Sequence, residues 1–201
     1  TVSGGSDASH VIGTMVKTTA ATTKFTFPLG DGSQYKSIAI TPSVATSTAW
    51  TARYYNAAHP TPGDQTSGLD GANSGDIDHI SLYEYWDLAP PSTEASIIEI
   101  AWVPNNNVLA YADLRLAHYD GADWDMVGGV TTAPVGTNAS GVVISDVVTL
   151  YSPFTLASSS TTNVLPITLV SFSGEKKDNR NILNWTTASE INNAFFTIEK
   201  S

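Results

Sequence analysis

Apolar and polar residues alternate along most of this chain, in short runs that recur about every 10 to 15 residues. In the run from Thr48 to Tyr55, Trp50, Ala52 and Tyr54 occupy one phase of the alternation. A period of two places such residues on one face of a β-strand. Clusters of Gly, Pro, Asn and Asp, which are typical of turns, separate the runs. The pattern therefore predicts an all-β fold, an antiparallel β-sandwich.

About ten strands are expected in the main part of the chain. The segment from Ser92 to Val103 also fits a helix, but its isoleucines and the preceding Pro90 and Pro91 favour a strand, because β-branched side chains suit strands. We therefore predict strands near His10 to Lys17, Thr23 to Phe27, Tyr35 to Thr41, Thr48 to Tyr55, His79 to Asp87, Ala95 to Val103, Val108 to Tyr119, Trp124 to Val127, Val142 to Leu150 and Pro153 to Ala157.

Two local features refine this pattern. The apolar residues between Val108 and Tyr119 change phase midway, which predicts a β-bulge near Asp113. From Tyr119 to Trp124, turn residues stand between two apolar runs, which predicts a hairpin that returns Trp124 to the core.

Composition and charge exclude several function classes. The 9 basic and 19 acidic residues give a net charge of −10, whereas affinity for nucleic acid depends on clustered Lys and Arg. Nucleic acid is therefore excluded as a partner. The chain has no Cys, which excludes thiolate and Cys-ligated metal chemistry. No apolar run approaches the roughly 20 residues of a transmembrane helix, so no transmembrane segment is expected.

Two stretches resemble a known group of proteins. The run SHVIGTMVKTTAATTKFTFPLGDGSQYKSIAIT (Ser9 to Thr41) resembles the opening of a β-sandwich module in surface and secreted proteins exported by the type IX secretion system. The run LPITLVSFSGEKKDNRNILNWTTASEINNAFFTIEKS (Leu165 to Ser201) is similar to a fibronectin type III-like segment that often follows that module. The resemblance covers about 70 residues and implies export and an extracellular or cell-surface location. It identifies no catalytic residue.

The resemblance and the residues between the two stretches together suggest a domain organisation. We expect a β-sandwich domain over residues 1–157, a patternless linker over 158–164, and a partial fibronectin type III-like segment over 165–201. The resemblance implies three strands in that last segment, at Ile167 to Ser173, Asn181 to Thr186 and Phe195 to Lys200. Three strands cannot enclose a core.

An incomplete second sandwich leaves apolar side chains without cover, at a cost of about 25 cal/mol per Å². Two interpretations remain open. Either the remaining strands are missing because the chain is truncated, or these strands add to the sheet of a neighbouring copy. The second interpretation predicts a homo-oligomer or filament, because a head-to-tail contact builds a ring or an open fibre. The candidate assembly residues are Phe172, Leu183, Trp185, Phe196 and Ile198.

Two weaker ligand sites accompany the assembly hypothesis. Asp70, Asp76 and Asp78 lie in the Gly-rich stretch GDQTSGLDGANSGDID, where carboxylates and carbonyls could ligate calcium, although a solvated turn is the favoured explanation. No other cofactor is expected. Tyr83, Tyr85 and Trp86 could stack on a glycan, although core packing accounts for most aromatic residues of a sandwich.

Catalysis finds no support, because the chain lacks the sequence motifs of a nucleophile elbow, a phosphate loop or a zinc protease. The leading hypothesis is a non-enzymatic extracellular subunit of a surface layer or filament that assembles through β-strands. The alternative is a glycan- or calcium-dependent adhesive module of a larger secreted protein. A third hypothesis is a spacer domain in a secreted hydrolase.

Overall fold

The computed structural model describes residues 4–61, 77–103, 110–131, 140–160, 169–177 and 180–187. These ranges contain β-strands, a short 3-10 helix at Tyr111–Asp113 and no α-helix, which confirms the predicted all-β fold class. None of these ranges holds a helix of the length and apolarity that a membrane crossing requires. The strands are β1 (Val11–Ile12), β2 (Met15–Thr19), β3 (Phe25–Phe27), β4 (Leu29–Gly30), β5 (Ile38–Pro42), β6 (Thr48–Tyr55), β7 (His79–Ile80), β8 (Tyr85–Ala89), β9 (Ser96–Trp102), β10 (Leu114–Tyr119), β11 (Trp124–Thr131), β12 (Gly141–Val148), β13 (Phe154–Ser158), β14 (Leu169–Lys177) and β15 (Arg180–Thr187).

One large antiparallel sheet of 11 strands dominates the fold. Its hydrogen-bonded order is β2-β6-β8-β13-β10-β11-β12-β9-β5-β3, and β7 also pairs with β13. The two end strands face each other, because the ammonium of Lys17 on β2 lies 5.3 Å from the ring centroid of Phe25 on β3. The sheet therefore nearly closes on itself, as a sandwich with barrel-like curvature.

Two small sheets lie outside this path. Strands β1 and β4 form a parallel pair near the N-terminus, and β14 and β15 form a separate antiparallel hairpin. Leu29 of β4 belongs to the main core.

The apolar phase of the strands points into the enclosed core. On β6, Trp50, Ala52 and Tyr54 are buried while Thr51 and Arg53 are exposed, as the alternation predicts. Side chains from both halves of the sheet meet there. The buried members of this cluster are Phe27, Leu29, Ile38, Ile40, Trp50, Ala52, Tyr54, Trp86, Leu88, Ile98, Ile100, Trp102, Leu114, Leu116, Val143, Val148, Phe154 and Leu156.

Strand β13 is buried on both faces. Its Phe154 and Leu156 belong to the main core, while Ala157 belongs to a smaller cluster on the opposite face. Ile77, Ile80 and Trp124 complete that second cluster, together with Ala117. Because β13 also pairs with β10 on one edge and with β7 and β8 on the other, it is held on all four sides.

The bulge expected near Asp113 is not formed there. Residues Tyr111–Asp113 instead make the 3-10 helix, and the register shift in β10 falls between Leu116 and Ala117. Asp113 is held by the chain end of β13, because its carbonyl accepts from the Ser159 amide at 2.8 Å and its carboxylate accepts from the Ser160 hydroxyl at 2.7 Å. These bonds favour a turn over a bulged strand.

The hairpin expected at Tyr119 to Trp124 is confirmed. The Asp120 carboxylate accepts hydrogen bonds from the amides of Ala122 and Asp123 at 2.8 and 2.9 Å, which fixes the turn. Trp124 returns to the interior and is 1% exposed. The pKa of the Asp120 carboxyl lies below its usual value, and these two amide hydrogen bonds are the largest cause of the shift.

Buried His118 gives the fold a predicted sensitivity to acid. Burial lowers the pKa of its imidazole below 6.5, outweighing a hydrogen bond with the Tyr151 backbone and the nearby Asp120 and Asp125 carboxylates. The unfolded chain therefore binds this proton more readily, so stability is complete above about pH 6.5 and declines as pH falls below it.

We expect His118→Phe to reduce this decline by up to about 1.4 kcal/mol for each pH unit. Denaturant unfolding of both proteins between pH 7.5 and 5 provides the measurement. Equal slopes for the two proteins would show that other groups cause the acid sensitivity.

Candidate functional site

The hairpin β14–β15 is the candidate assembly site. Its register runs from Leu169 opposite Thr187 to Lys177 opposite Arg180, so the two strands pair along nearly their whole length. The strands form a sheet of their own and pair with no other strand in the part of the chain that the structure describes. A strand edge that lacks a neighbour is a template for a further strand.

The predicted assembly residues share one face of this hairpin. Phe172 lies directly opposite Trp185, and Gly174 lies opposite Leu183. Because side chains two positions apart project to the same face, Phe172, Trp185 and Leu183 are neighbours on it. A Cβ at Gly174 would lie 3.1 Å from the Leu183 side chain, so glycine gives that leucine room.

This apolar face is substantially open to solvent. Phe172 is 58% exposed and Trp185 is 37% exposed, whereas Leu183 is partly buried. Paired aromatic residues at this level of exposure are typical of interaction surfaces rather than of a domain interior. Phe196 and Ile198, the other two assembly residues, lie outside the described residues.

Charge differs sharply between the hairpin and the sandwich. Residues 1–157 carry 15 acidic and 5 basic side chains, so the whole net charge of the chain belongs to the sandwich domain. The hairpin segment 169–187 carries Lys176, Lys177 and Arg180 against Glu175 and Asp178, a net charge of +1. The two parts of the chain therefore have net charges of opposite sign.

The calcium hypothesis stays a prediction. Asp70 and Asp76 lie outside the described residues. The Asp78 carboxylate accepts a hydrogen bond from the His79 ring at 2.8 Å, and its backbone amide donates to the Ser158 carbonyl. The described ranges contain no group of three or more His, Asp or Glu side chains that could hold a metal ion.

The aromatic residues proposed for glycan stacking separate in the structure. The Tyr85 ring stacks on Tyr55 with their centroids 4.4 Å apart, and Arg53 lies over Tyr55 at 4.6 Å. His59 meets Tyr85 edge-on at 5.1 Å. These contacts already cover much of the surface of the Tyr55 and Tyr85 rings, so less of it is available to a sugar. Tyr83 is only partly exposed.

Trp86 corrects the sequence-based grouping. It is fully buried, and its indole N–H donates to the Lys36 carbonyl at 3.0 Å, so it presents no face to a sugar. The reason is the strand period, since Trp86 and Tyr85 are consecutive and point to opposite sides of the sheet. Trp86 is a core residue.

Sequence reasoning missed one feature of the core, a buried ionic network. The Lys36 ammonium lies 2.8 Å from the Glu84 carboxylate, with side chains 5% and 2% exposed. The Tyr54 hydroxyl donates to the same carboxylate oxygen at 3.0 Å. Burial, then the negative charge of Glu84, raises the pKa of that hydroxyl far above its usual value. The network is enclosed by the sheet and has a structural role.

No protein-family model matches this sequence, and no curated protein or solved structure is significantly similar to it. The resemblance to type IX-exported modules therefore stays a prediction from the residues themselves.

Proposed function

We propose that this chain is a non-enzymatic extracellular structural subunit that assembles into a surface layer or filament through its β14–β15 hairpin. The single observation that carries the proposal is the aromatic pair on that hairpin, where Phe172 lies opposite Trp185 and the two side chains are 58% and 37% exposed. The extracellular location rests on the sequence resemblance to exported surface proteins.

The energetics favour a partner on this face. Covering apolar surface gains about 25 cal/mol per Å², and large aromatic side chains provide most of the binding free energy at protein interfaces. Among the described residues the hairpin pairs with no third strand, and main-chain hydrogen bonds to an added strand would supply affinity with little dependence on side chains. Both features suit a β-mediated contact.

A second copy of the chain fits the charge pattern. The hairpin carries a net charge of +1, because Lys176, Lys177 and Arg180 outnumber Glu175 and Asp178, and this sign complements the acidic sandwich of another copy. In such a contact the hairpin of one copy meets a different surface on the next, so the interface is heterologous. Repetition of a heterologous contact gives a ring if it closes and a filament if it does not.

We expect the double variant Phe172→Ser, Trp185→Ser to weaken self-association roughly 30-fold or more, because two aromatic anchors are lost from one contact. Light-scattering mass across a concentration series, with negative-stain imaging, measures the effect. The matched control is Val147→Ser, since Val147 is 59% exposed on β12 of the sandwich.

The control variant should assemble like the original chain. If the original chain is monomeric at every concentration, or if the double variant assembles as well as the control, the hairpin is not an assembly element. Raised salt should also weaken assembly, because the charges that meet are solvent-exposed and are screened.

A further inference from the structure

A cavity of about 500 Å³ lies at the seam where the two ends of the large sheet face each other. Its volume is in the usual range for a small-molecule site. The cavity is independent of the β14–β15 hairpin. Its lining includes Lys17, Thr19, Thr23, Phe25, Thr26 and Tyr35.

Lys17 is the unusual residue of this lining. On β2 it pairs in register with Trp50 of β6, so it occupies the core-facing phase of its strand, two residues from Met15. An ammonium at such a position loses part of its hydration and is stabilised by an anionic partner. Within the described ranges no carboxylate lies at ion-pair distance from it, whereas Lys24, also in the lining, pairs with Glu99. The Lys17 ammonium at the seam thus contacts the Phe25 ring, 5.3 Å from its centroid, but has no carboxylate partner among the described residues.

The rest of the lining can bind hydroxyl groups. Thr23, Thr26 and Tyr35 contribute side-chain hydroxyls, each able to donate and accept. In the described sheet, β2 pairs only with β6 and β3 only with β5, so both end strands turn an unpaired backbone edge toward the seam. Phe25 and Pro28 add an apolar surface. The site combines one cation, several hydroxyls and an apolar wall.

We propose that this seam cavity binds a saccharide with a single carboxylate, such as a uronic acid unit joined to a neutral sugar. The carboxylate pairs with the Lys17 ammonium, the sugar hydroxyls bond to the threonine and tyrosine hydroxyls and to the strand edges, and a ring packs against Phe25. A phosphate suits the site less, because one ammonium does not balance a dianion and the chain carries a net charge of −10.

The test is calorimetric titration of the full chain with an aldobiouronic acid, a disaccharide of glucuronate and a neutral sugar. The control ligand is the same disaccharide with a hydroxymethyl group in place of the carboxylate. The test variant is Lys17→Met, which keeps the length of the side chain, and its control is Arg53→Met, an exposed cation on the outer face of β6. We expect the acidic sugar to bind, the neutral sugar to bind at least tenfold more weakly, and Lys17→Met to lose roughly tenfold or more in affinity.

A second variant keeps the test valid if Lys17→Met misfolds. Thr23 lines the cavity and is exposed, so Thr23→Trp should fill the site without disturbing the core and should abolish binding. Absence of binding by the acidic sugar, equal binding of both sugars, or unchanged affinity of both cavity variants would each overturn the proposal. Tighter binding of a glutamate-containing tripeptide would overturn it in favour of a peptide site. Self-association of Lys17→Met should match that of the original chain, which separates this proposal from assembly.

Discussion

Glu84→Gln is expected to lower the free energy of unfolding by about 3–5 kcal/mol, because it removes one charge of a buried ion pair and leaves the other. The amide keeps the shape of the carboxylate and can still accept from Tyr54, so packing is preserved. The change removes the negative charge at this position. The Lys36 ammonium, which is 5% exposed, therefore loses the carboxylate that lies 2.8 Å from it. Since domains of this size are stable by only about 5–15 kcal/mol, the variant should be marginally folded at room temperature.

Denaturant unfolding followed by tryptophan fluorescence measures this loss, because the core tryptophans report on the same region. Two further variants test the cause. Lys24→Met removes a partner of the more exposed Lys24–Glu99 pair and should cost at most about 1 kcal/mol. The double change Lys36→Met, Glu84→Leu removes both buried charges and should recover most of the stability. If the double variant is no more stable than Glu84→Gln, the loss arises from packing rather than from an unpaired charge.

Gly128→Ala is also expected to be strongly damaging, with a loss of about 2–6 kcal/mol from two sources. The φ of Gly128 is +153°, a backbone conformation that residues with a side chain rarely adopt. A Cβ there would also lie 2.4 Å from the Cα of Ser145 and 2.7 Å from the carbonyl oxygen of Ile144. Both atoms belong to the backbone of β12, which pairs with β11 at this point and cannot move without breaking the sheet.

Gly121→Ala separates the two sources. Gly121 has a φ of +108°, but nothing lies within 4 Å of the position of its Cβ, so it incurs only the backbone cost of about 1–3 kcal/mol. Thermal and denaturant unfolding of the two variants give the comparison. Equal losses would show that the contact with β12 relaxes at no cost and that backbone strain alone explains both.

The strands could be predicted because each carries its own period-two signal. Trp50, Ala52 and Tyr54 identify β6 with its observed bounds, and the Asp120 turn identifies the next hairpin. The order of strands in the sheet could not be predicted, since it depends on contacts between distant segments. The 3-10 helix at Asp113 illustrates this, because its decisive partners, Ser159 and Ser160, lie more than 40 residues away.

The candidate sites show the same limit. The common face of Phe172, Leu183 and Trp185 follows from alternation and a hairpin turn, both local. A local signal for the ionic network also exists, since Glu84 is in phase with buried Trp86 and Leu88, but its partner Lys36 is 48 positions away in the chain. The seam cavity had no local signal, because it exists only where β2 and β3 meet at the two ends of the sheet.

The position of β13 has a mechanical consequence for a subunit that carries load. The chain continues toward the hairpin from β13, so tension applied at an assembly contact enters the sandwich through that strand. An edge strand under tension can be peeled away one bond at a time. Strand β13 instead has bonded neighbours on both edges and packed clusters on both faces, so its removal must rupture all of them. In the proposed assembly, the pulling force would therefore fall on a strand that is anchored on both edges and both faces.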